Sequence, residues 1–461
     1  MLNAIIILTL LLLLLFSWKI MKNISIDDFY ANSKSTESFP LFLSLLASLI
    51  GGWMFLGLTQ MSYDAGLISL YIGIGYAIGF SLLYKAIPKI KSLLNKHNAY
   101  TLDECLLKFY GLKIGIFITI INFIFFVAIL SAQFVVLKQI LMPFNDIINV
   151  ELLFWFFAIS VLIYTVISGY KGVLITDKYQ LFFIVLLMGL LIMSLGEYQA
   201  INQIQNLDSN YIFGTKYGIG FVVAVLVFFP LTVLVRTDVW QRIASAKDIK
   251  TSKKAILITI PFLIIAYIVM TYIGMSINTM NIEQSKGVLP LISLIEHLLN
   301  AQGSSYIFNI MLLATLFGIG AALMSTIDSN LNVVVTAISR MKEIKNKKEE
   351  LFFARILSVV IGILGVISSI FINDIVNVIV GAGAIILIMF PVVYNFINSK
   401  HDRATGTERK NAFWTLIFGY SSFAIFVYVL NPKSAFLPGF LVAFIFWHTY
   451  KYFTKNKTLI K

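Results

Sequence analysis

Apolar residues fall in thirteen long stretches separated by short polar joints, at roughly 3–21, 40–62, 67–88, 112–143, 149–168, 172–196, 214–235, 254–275, 303–339, 353–372, 375–396, 412–430 and 434–452. A helix needs about 20 residues to cross about 30 Å of hydrocarbon. Each stretch therefore predicts one transmembrane helix, and 112–143 and 303–339 must tilt or protrude. Most are plain Leu/Ile/Phe/Val segments, but four are not. The second carries adjacent glycines, Gly51 and Gly52, at mid-span, which suit a local break. The sixth carries Thr176-Asp177-Lys178 near its inner end. The seventh has Gly218, Gly220 and Pro230. The ninth carries Ala322-Leu323-Met324-Ser325-Thr326-Ile327-Asp328-Ser329-Asn330. Broken helices persist in a membrane only where they line protein or water.

With the first span and the last two set aside, ten spans divide into two sets of five, 40–196 and 214–396. Five is odd, so the sets have opposite topology, and each opens on a glycine-interrupted helix. This is the pattern of an inverted-repeat transporter with its site between the two broken helices. The expected architecture is all-α and polytopic, with about 13 helices: an extra helix at 1–22, repeats at 40–196 and 214–396, and two C-terminal helices with a short cytoplasmic tail at 412–461.

Composition agrees with a lipid-facing surface. Hydrophobic residues make up 59% of the chain and charged residues 12%, where a soluble domain carries about 25% charged. With the N-terminus placed outside, all but four of the 35 Lys and Arg fall on the cytoplasmic side; the four are Lys138, Lys216, Lys286 and Lys433. The formal charge of +13 is then a topology signal and not a nucleic-acid surface. No basic residue precedes the first stretch and no small-residue cleavage site follows it, so it reads as an uncleaved span and not a secretory signal. Cys105 is the single cysteine, and no Cys/His cluster suggests zinc or haem. No phosphate loop occurs, so transport would draw on an ion or solute gradient. No nucleophile–His pair appears, so an enzyme is not expected.

The candidate chemistry sits on the ninth span. Positions 322, 325, 326 and 329 share one helix face, offering the hydroxyls of Ser325, Thr326 and Ser329 beside Asp328. Hydroxyls and carbonyls are hard ligands suited to hard cations. A break at 51–52 would free carbonyls near Ala47 and Ile50 to complete a sodium shell. An ionisable group inside a membrane is costly unless partnered, and topology puts Asp177 and Asp328 at similar depth, so a cation between them is plausible. Trp53, Gln133, Phe228, Phe229 and Thr232, with Gly51 and Gly52, are the expected substrate-lining residues. No intramembrane Arg clamp announces an anionic substrate, which favours a neutral or zwitterionic solute.

Four stretches resemble the sodium:solute symporter family, which includes sodium-coupled proline, pantothenate, sialic acid and sugar transporters. They are Ala47-Ser48-Leu49-Ile50-Gly51-Gly52-Trp53 through Gly57; Ser168-Gly169-Tyr170-Lys171-Gly172 with Thr176-Asp177-Lys178-Tyr179-Gln180; Asp238-Val239-Trp240-Gln241-Arg242 with Ala244 and Ala246-Lys247; and Met324 to Leu331. The resemblance implies a leucine-transporter-like core with one helix before it and two after. It also implies sodium as coupling ion, no organic cofactor, and alternating-access symport of a small solute across a bacterial inner membrane. The implied sodium ligands are main-chain oxygens of Ala47, Ile50 and Ala322 and the hydroxyls of Ser325 and Thr326. A second cation site would use Asp177, Ser325, Asp328 and Ser329. Asp328 stands where two-sodium members have a hydroxyl, and Leu49 stands where proline-type members have an acidic residue. Proton coupling through Asp177 or Asp328, and a non-transporting sensor on the same scaffold, are the alternatives.

Overall fold

The computed structural model describes residues 24–146, 148–197, 203–204, 207–280, 289–301, 306–372, 374–429 and 432–459. The first predicted span, 1–22, lies outside the described residues. No β-strand occurs among those described; one isolated bridge joins Thr36 to Ala246.

A short helix, α1 (Ile26–Ala31), precedes α2 (Ser38–Leu49). The chain then breaks at Ile50–Gly52, makes a π-helical turn over Trp53–Leu58 and continues as α3 (Thr59–Ala65). Next come α4 (Ile68–Lys96), α5 (Leu102–Tyr110), α6 (Leu112–Leu141) and α7 (Val150–Glu197). The second half opens with α8 (Ile219–Val227), α9 (Phe229–Val235) and α10 (Thr237–Ser245), followed by α11 (Ile249–Thr279), α12 (Pro290–Ala301) and α13 (Tyr306–Ser339). Helices α14 (Lys347–Ser369), α15 (Ile375–Ile388), α16 (Phe390–Asn398), α17 (Gly406–Val429) and α18 (Pro432–Leu459) complete it.

Among the described residues, seven helices are long and apolar enough to cross a membrane, or up to ten when each bent pair counts as one. Helix α7 has 48 residues, about twice the membrane-spanning length, and is interrupted where Gly169 adopts φ 53°, ψ −151°. Its two parts match the predicted spans 149–168 and 172–196. On the flank of α6, Ile116, Ile120 and Ile124 recur at one-turn spacing and are all exposed, as a lipid-facing stripe requires.

Three readings of the sequence need correction. The bend in the seventh span does not lie at Gly218 or Gly220, which sit where α8 begins. It falls first at Phe228, just before Pro230 opens α9, and then at Arg236, where the axis turns by 50°; proline lacks the N–H that would continue the preceding helix. The segment read as a basic loop after it contains α10, whose nine residues are all buried. The predicted loop 89–111 likewise holds α5, with Asp103 and Glu104 buried.

Packing seals the end of the molecule that carries most basic residues, called here the basic face. Gln241 Nε2 donates to the Tyr30 carbonyl at 2.8 Å and to Asn332 Oδ1 at 2.8 Å. Asn332 Nδ2 donates to the Phe29 carbonyl at 3.0 Å. Arg340 bridges Glu104 at 2.8 Å and Glu350 at 3.3 Å, and Tyr30 donates to Glu350 at 3.1 Å. Helix α1 is thereby tied to α10, α13 and α14.

Candidate ion and solute site

The site begins at the interruption between α2 and the π turn. Ile50 leaves helical geometry at φ −93°, ψ 64°, and the axes on either side differ by 51°. A helix end leaves its last carbonyls without intrahelical partners, and the terminal carbonyls of α2 include those of Ala47 and Ile50. Two contacts hold the break open. The Gly52 N–H donates to Gln133 Oε1 at 3.1 Å, so α6 caps the second half-helix. Gly51 lies against Thr326 of α13, so closely that a Cβ at 51 would collide with the threonine hydroxyl. Thr326 donates its own proton to the Ala322 carbonyl at 3.0 Å, which leaves its lone pairs facing the break.

Helix α13 presents two functional faces. Thr326 and Asn330 face a central cavity. Ser325, Asp328 and Ser329 face α7 and α10. Ser325 donates to Asp177 Oδ1 at 2.6 Å, and Tyr164 donates to Asp328 Oδ2, with the Thr176 hydroxyl 3.5 Å away. Arg242 Nη2 donates to Ser329 at 3.0 Å and to Ser48 at 2.5 Å. Asp177 and Asp328 are completely buried. Each still has one oxygen, Asp177 Oδ2 and Asp328 Oδ1, without a hydrogen-bond partner among the described residues, and so does Ser44 Oγ. Orphaned buried oxygens are costly, and an oxygen-only donor set of this kind fits a hard cation. Among the described residues no His/Cys/Asp/Glu group suited to a metal ion occurs.

The cavity has a volume of about 140 Å³. Five of the expected lining residues are on its wall: Gly51, Trp53, Gln133, Phe229 and Thr232. Gly52 lies behind it against Leu323 and Gln133. Phe228 packs on Phe440 of α18, ring centroids 5.3 Å apart, because the bend turns neighbouring residues to opposite sides.

The cavity wall also contains residues the sequence reading did not select. Arg236 lines it, so an arginine does stand on the cavity wall. Its Nε and Nη2 pair with both Asp238 oxygens at 3.0 and 2.7 Å, and Nη1 donates to Tyr76 at 3.3 Å. With spans drawn at 214–235 and 254–275, Arg236 and Asp238 fell in the basic joint between them, which concealed this pair. The spacing of Asp238 and Arg242, four apart and joined at 3.7 Å, was the available signal of a helix there. Ser44 and Tyr164 carried no local signal, since a lone hydroxyl in an apolar span usually bonds its own helix.

A model of the sodium:solute symporter family matches residues 29–380. No curated protein matches the chain. Among solved structures, a Na+-coupled sialic acid symporter in a substrate-bound outward-open state aligns with TM-score 0.81 at 15% identity, over 97% of this chain and 96% of that one. MhsT in complex with L-phenylalanine aligns with TM-score 0.58 at 17% identity, over 89% and 99%. A nucleobase-cation-symport-1 family transporter, closed around bromovinylhydantoin, gives 0.55 at 14% identity, over 95% and 96%. At these identities the likeness is one of fold.

Proposed function

The chain belongs to the sodium:solute symporter family, and from that premise we propose which of its residues hold the coupling ion and in which state the structure lies. The protein is an integral membrane, sodium-coupled symporter working by alternating access. The central sodium is held by main-chain oxygens of Ala47, Ile50 and Ala322 and by the hydroxyls of Ser325 and Thr326. The observation that supports this most is the seating of Gly51 on Thr326, which brings the broken end of α2 against the hydroxyl-bearing face of α13. A second cation is held by Asp177, Ser325, Asp328 and Ser329, with Ser44 as a further oxygen. The repeats are 40–196 and 214–396. The membrane is a bacterial plasma membrane, with the N-terminus outside and the basic face cytoplasmic.

On this orientation the polar layer of Tyr30, Gln241, Asn332 and Arg340 closes the inside, while Met61, Ile72, Phe221 and Ile379 of the cavity wall lie towards the outside. The structure is thus the inward-closed state. Sodium bound between α2 and α13 favours it. Each positive charge then moved inward gains about 2.3 kcal/mol per 100 mV, and a tenfold sodium gradient adds about 1.4 kcal/mol.

The test is thermal unfolding of the purified protein in sodium, potassium and choline chloride at equal ionic strength. A ligand bound only by the native state at 100 times its Kd stabilises it by about 2.7 kcal/mol. A sodium-specific rise in Tm that Ser325→Ala removes is expected. Equal melting in the three salts would refute the assignment.

A further inference from the structure

Most polar side chains on the cavity wall are committed to the protein itself. Gln133 accepts from Gly52 and donates to the Ile129 carbonyl at 3.2 Å. Thr232 donates to the Phe229 carbonyl at 2.6 Å, and Ser48 to the Ser44 carbonyl at 2.6 Å. Arg236 is the charged residue on the wall, and both Asp238 oxygens neutralise it. No hydrogen bond among the described residues reaches three wall groups: the Asn330 carboxamide, the Trp53 indole N–H and the Tyr267 hydroxyl. All three are uncharged. Asn330 is 6% exposed, on the cavity face of α13 one turn beyond Thr326. Its carboxamide offers donors beside an acceptor.

The rest of the wall is apolar and partly flat. Tyr76 meets Phe229 edge-on at 4.9 Å, and Tyr267 lies 6.0 Å from Tyr76. An ionised solute would find no unpaired side-chain counter-charge on the described wall, because Arg236, the charged side chain there, is already held by both Asp238 oxygens, and burying an unpaired charge is expensive. A polyol small enough for the cavity would bring more hydroxyls than the few unpartnered side chains of this wall can satisfy, and each unpaired one costs about 1–3 kcal/mol. A solute with one donor–acceptor edge and an apolar body meets neither cost.

We propose, on the reading of the chain as a symporter with its solute in this cavity, that Asn330 is the specificity-determining residue. The solute class is small uncharged carboxamides, lactams or ureido compounds, with the amide edge paired to Asn330 and the apolar body against Tyr76, Phe229 and Tyr267.

The experiment uses the full chain in sodium chloride with four probes of similar size, benzamide, benzoate, benzylammonium and myo-inositol, and a fifth, benzamidinium, for the charged variant. Thermal shift reads binding, and sodium-driven current in proteoliposomes reads transport. Benzamide should raise Tm and elicit current where the other three do not. Asn330→Leu should weaken apparent benzamide affinity about tenfold, the loss of roughly one amide pairing. Asn330→Asp, of nearly equal volume, should exchange benzamide for the benzamidinium cation. Both variants should keep the sodium-dependent rise in Tm. Preference for benzoate, benzylammonium or inositol, an Asn330→Leu protein that binds benzamide unchanged, or no response to benzamide at millimolar concentration would each overturn the proposal. A retained sodium-dependent rise in those cases would leave the symporter reading standing, whereas its absence in the unmodified protein would count against the sodium site itself.

Discussion

Gly51 and Thr326 show how one atom governs the approach of the two helices at the proposed ion site. The space a Cβ would need at 51 is filled by the Thr326 hydroxyl, so Gly51→Ala must displace the Thr326 side chain from its place against α2. Overpacking of this kind costs about 1–3 kcal/mol. The expected result is a lower Tm in potassium and a sodium-dependent rise that disappears; a wild-type sodium response would show that the close approach is not needed for binding. Thr326→Ser, which keeps the hydroxyl and removes a methyl, should retain the response in the same assay. The hydroxyls and carboxylates of this site are conspicuous in the sequence because polar groups stand out in apolar spans. Asn330 also stood in the polar run, but its direction did not follow, since 325, 326, 328, 329 and 330 spread over about 200° of the helix circumference and only the neighbours of α13 tell which face meets the cavity.

At the scale of elements, the decisive features are interruptions. Gly169 divides α7 with a backbone geometry that L side chains rarely adopt, and the position where its Cβ would stand is 2.5 Å from Phe29 Cδ2 of α1. Gly169→Ala should therefore destabilise the protein by about 1–3 kcal/mol, read as a fall in Tm in any salt; unchanged melting would mean that α1 and α7 can separate without cost. Helix α10 is held to α9 across the Arg236 bend by Trp240 Nε1, which donates to the Leu234 carbonyl at 2.9 Å. The helices themselves were legible as apolar runs of membrane-spanning length, and the break at Gly51–Gly52 was legible as paired glycines. The bend at Arg236 was not, because it depends on where Asp238, Tyr76 and Trp240 sit around the arginine.

Across the whole molecule, the cavity and the sealed basic face belong to one conformer, and Arg340 is a keystone of the seal. It stands between two buried carboxylates, Glu104 and Glu350. Arg340→Ala leaves both without their cation, with only the Tyr100 N–H on Glu104 and the Tyr30 hydroxyl on Glu350 remaining among the described residues, and breaking a buried pair costs up to about 3–5 kcal/mol. The single cysteine, Cys105, is fully buried beside Glu104 and serves as the reporter. A membrane-impermeant maleimide added at the basic face should label Cys105 slowly in the unmodified protein in sodium and much faster in Arg340→Ala. Equal rates would mean that this ion pair does not hold the inside closed.

Thirteen apolar runs, the asymmetric Lys and Arg, the glycine pair at 51–52 and the polar run from Ala322 to Asn330 are properties of the chain alone. They suffice for a helical membrane protein and for its family, and they single out the oxygens proposed to hold sodium, because hydrophobic length and ligand chemistry are local. The pairing of Arg236 with Asp238, the burial of α5 and α10, the turning of Phe228 towards α18 and the free carboxamide of Asn330 became visible only in the folded molecule. Each depends on which distant segments meet, and a buried polar group takes its meaning from partners that lie far away in the chain.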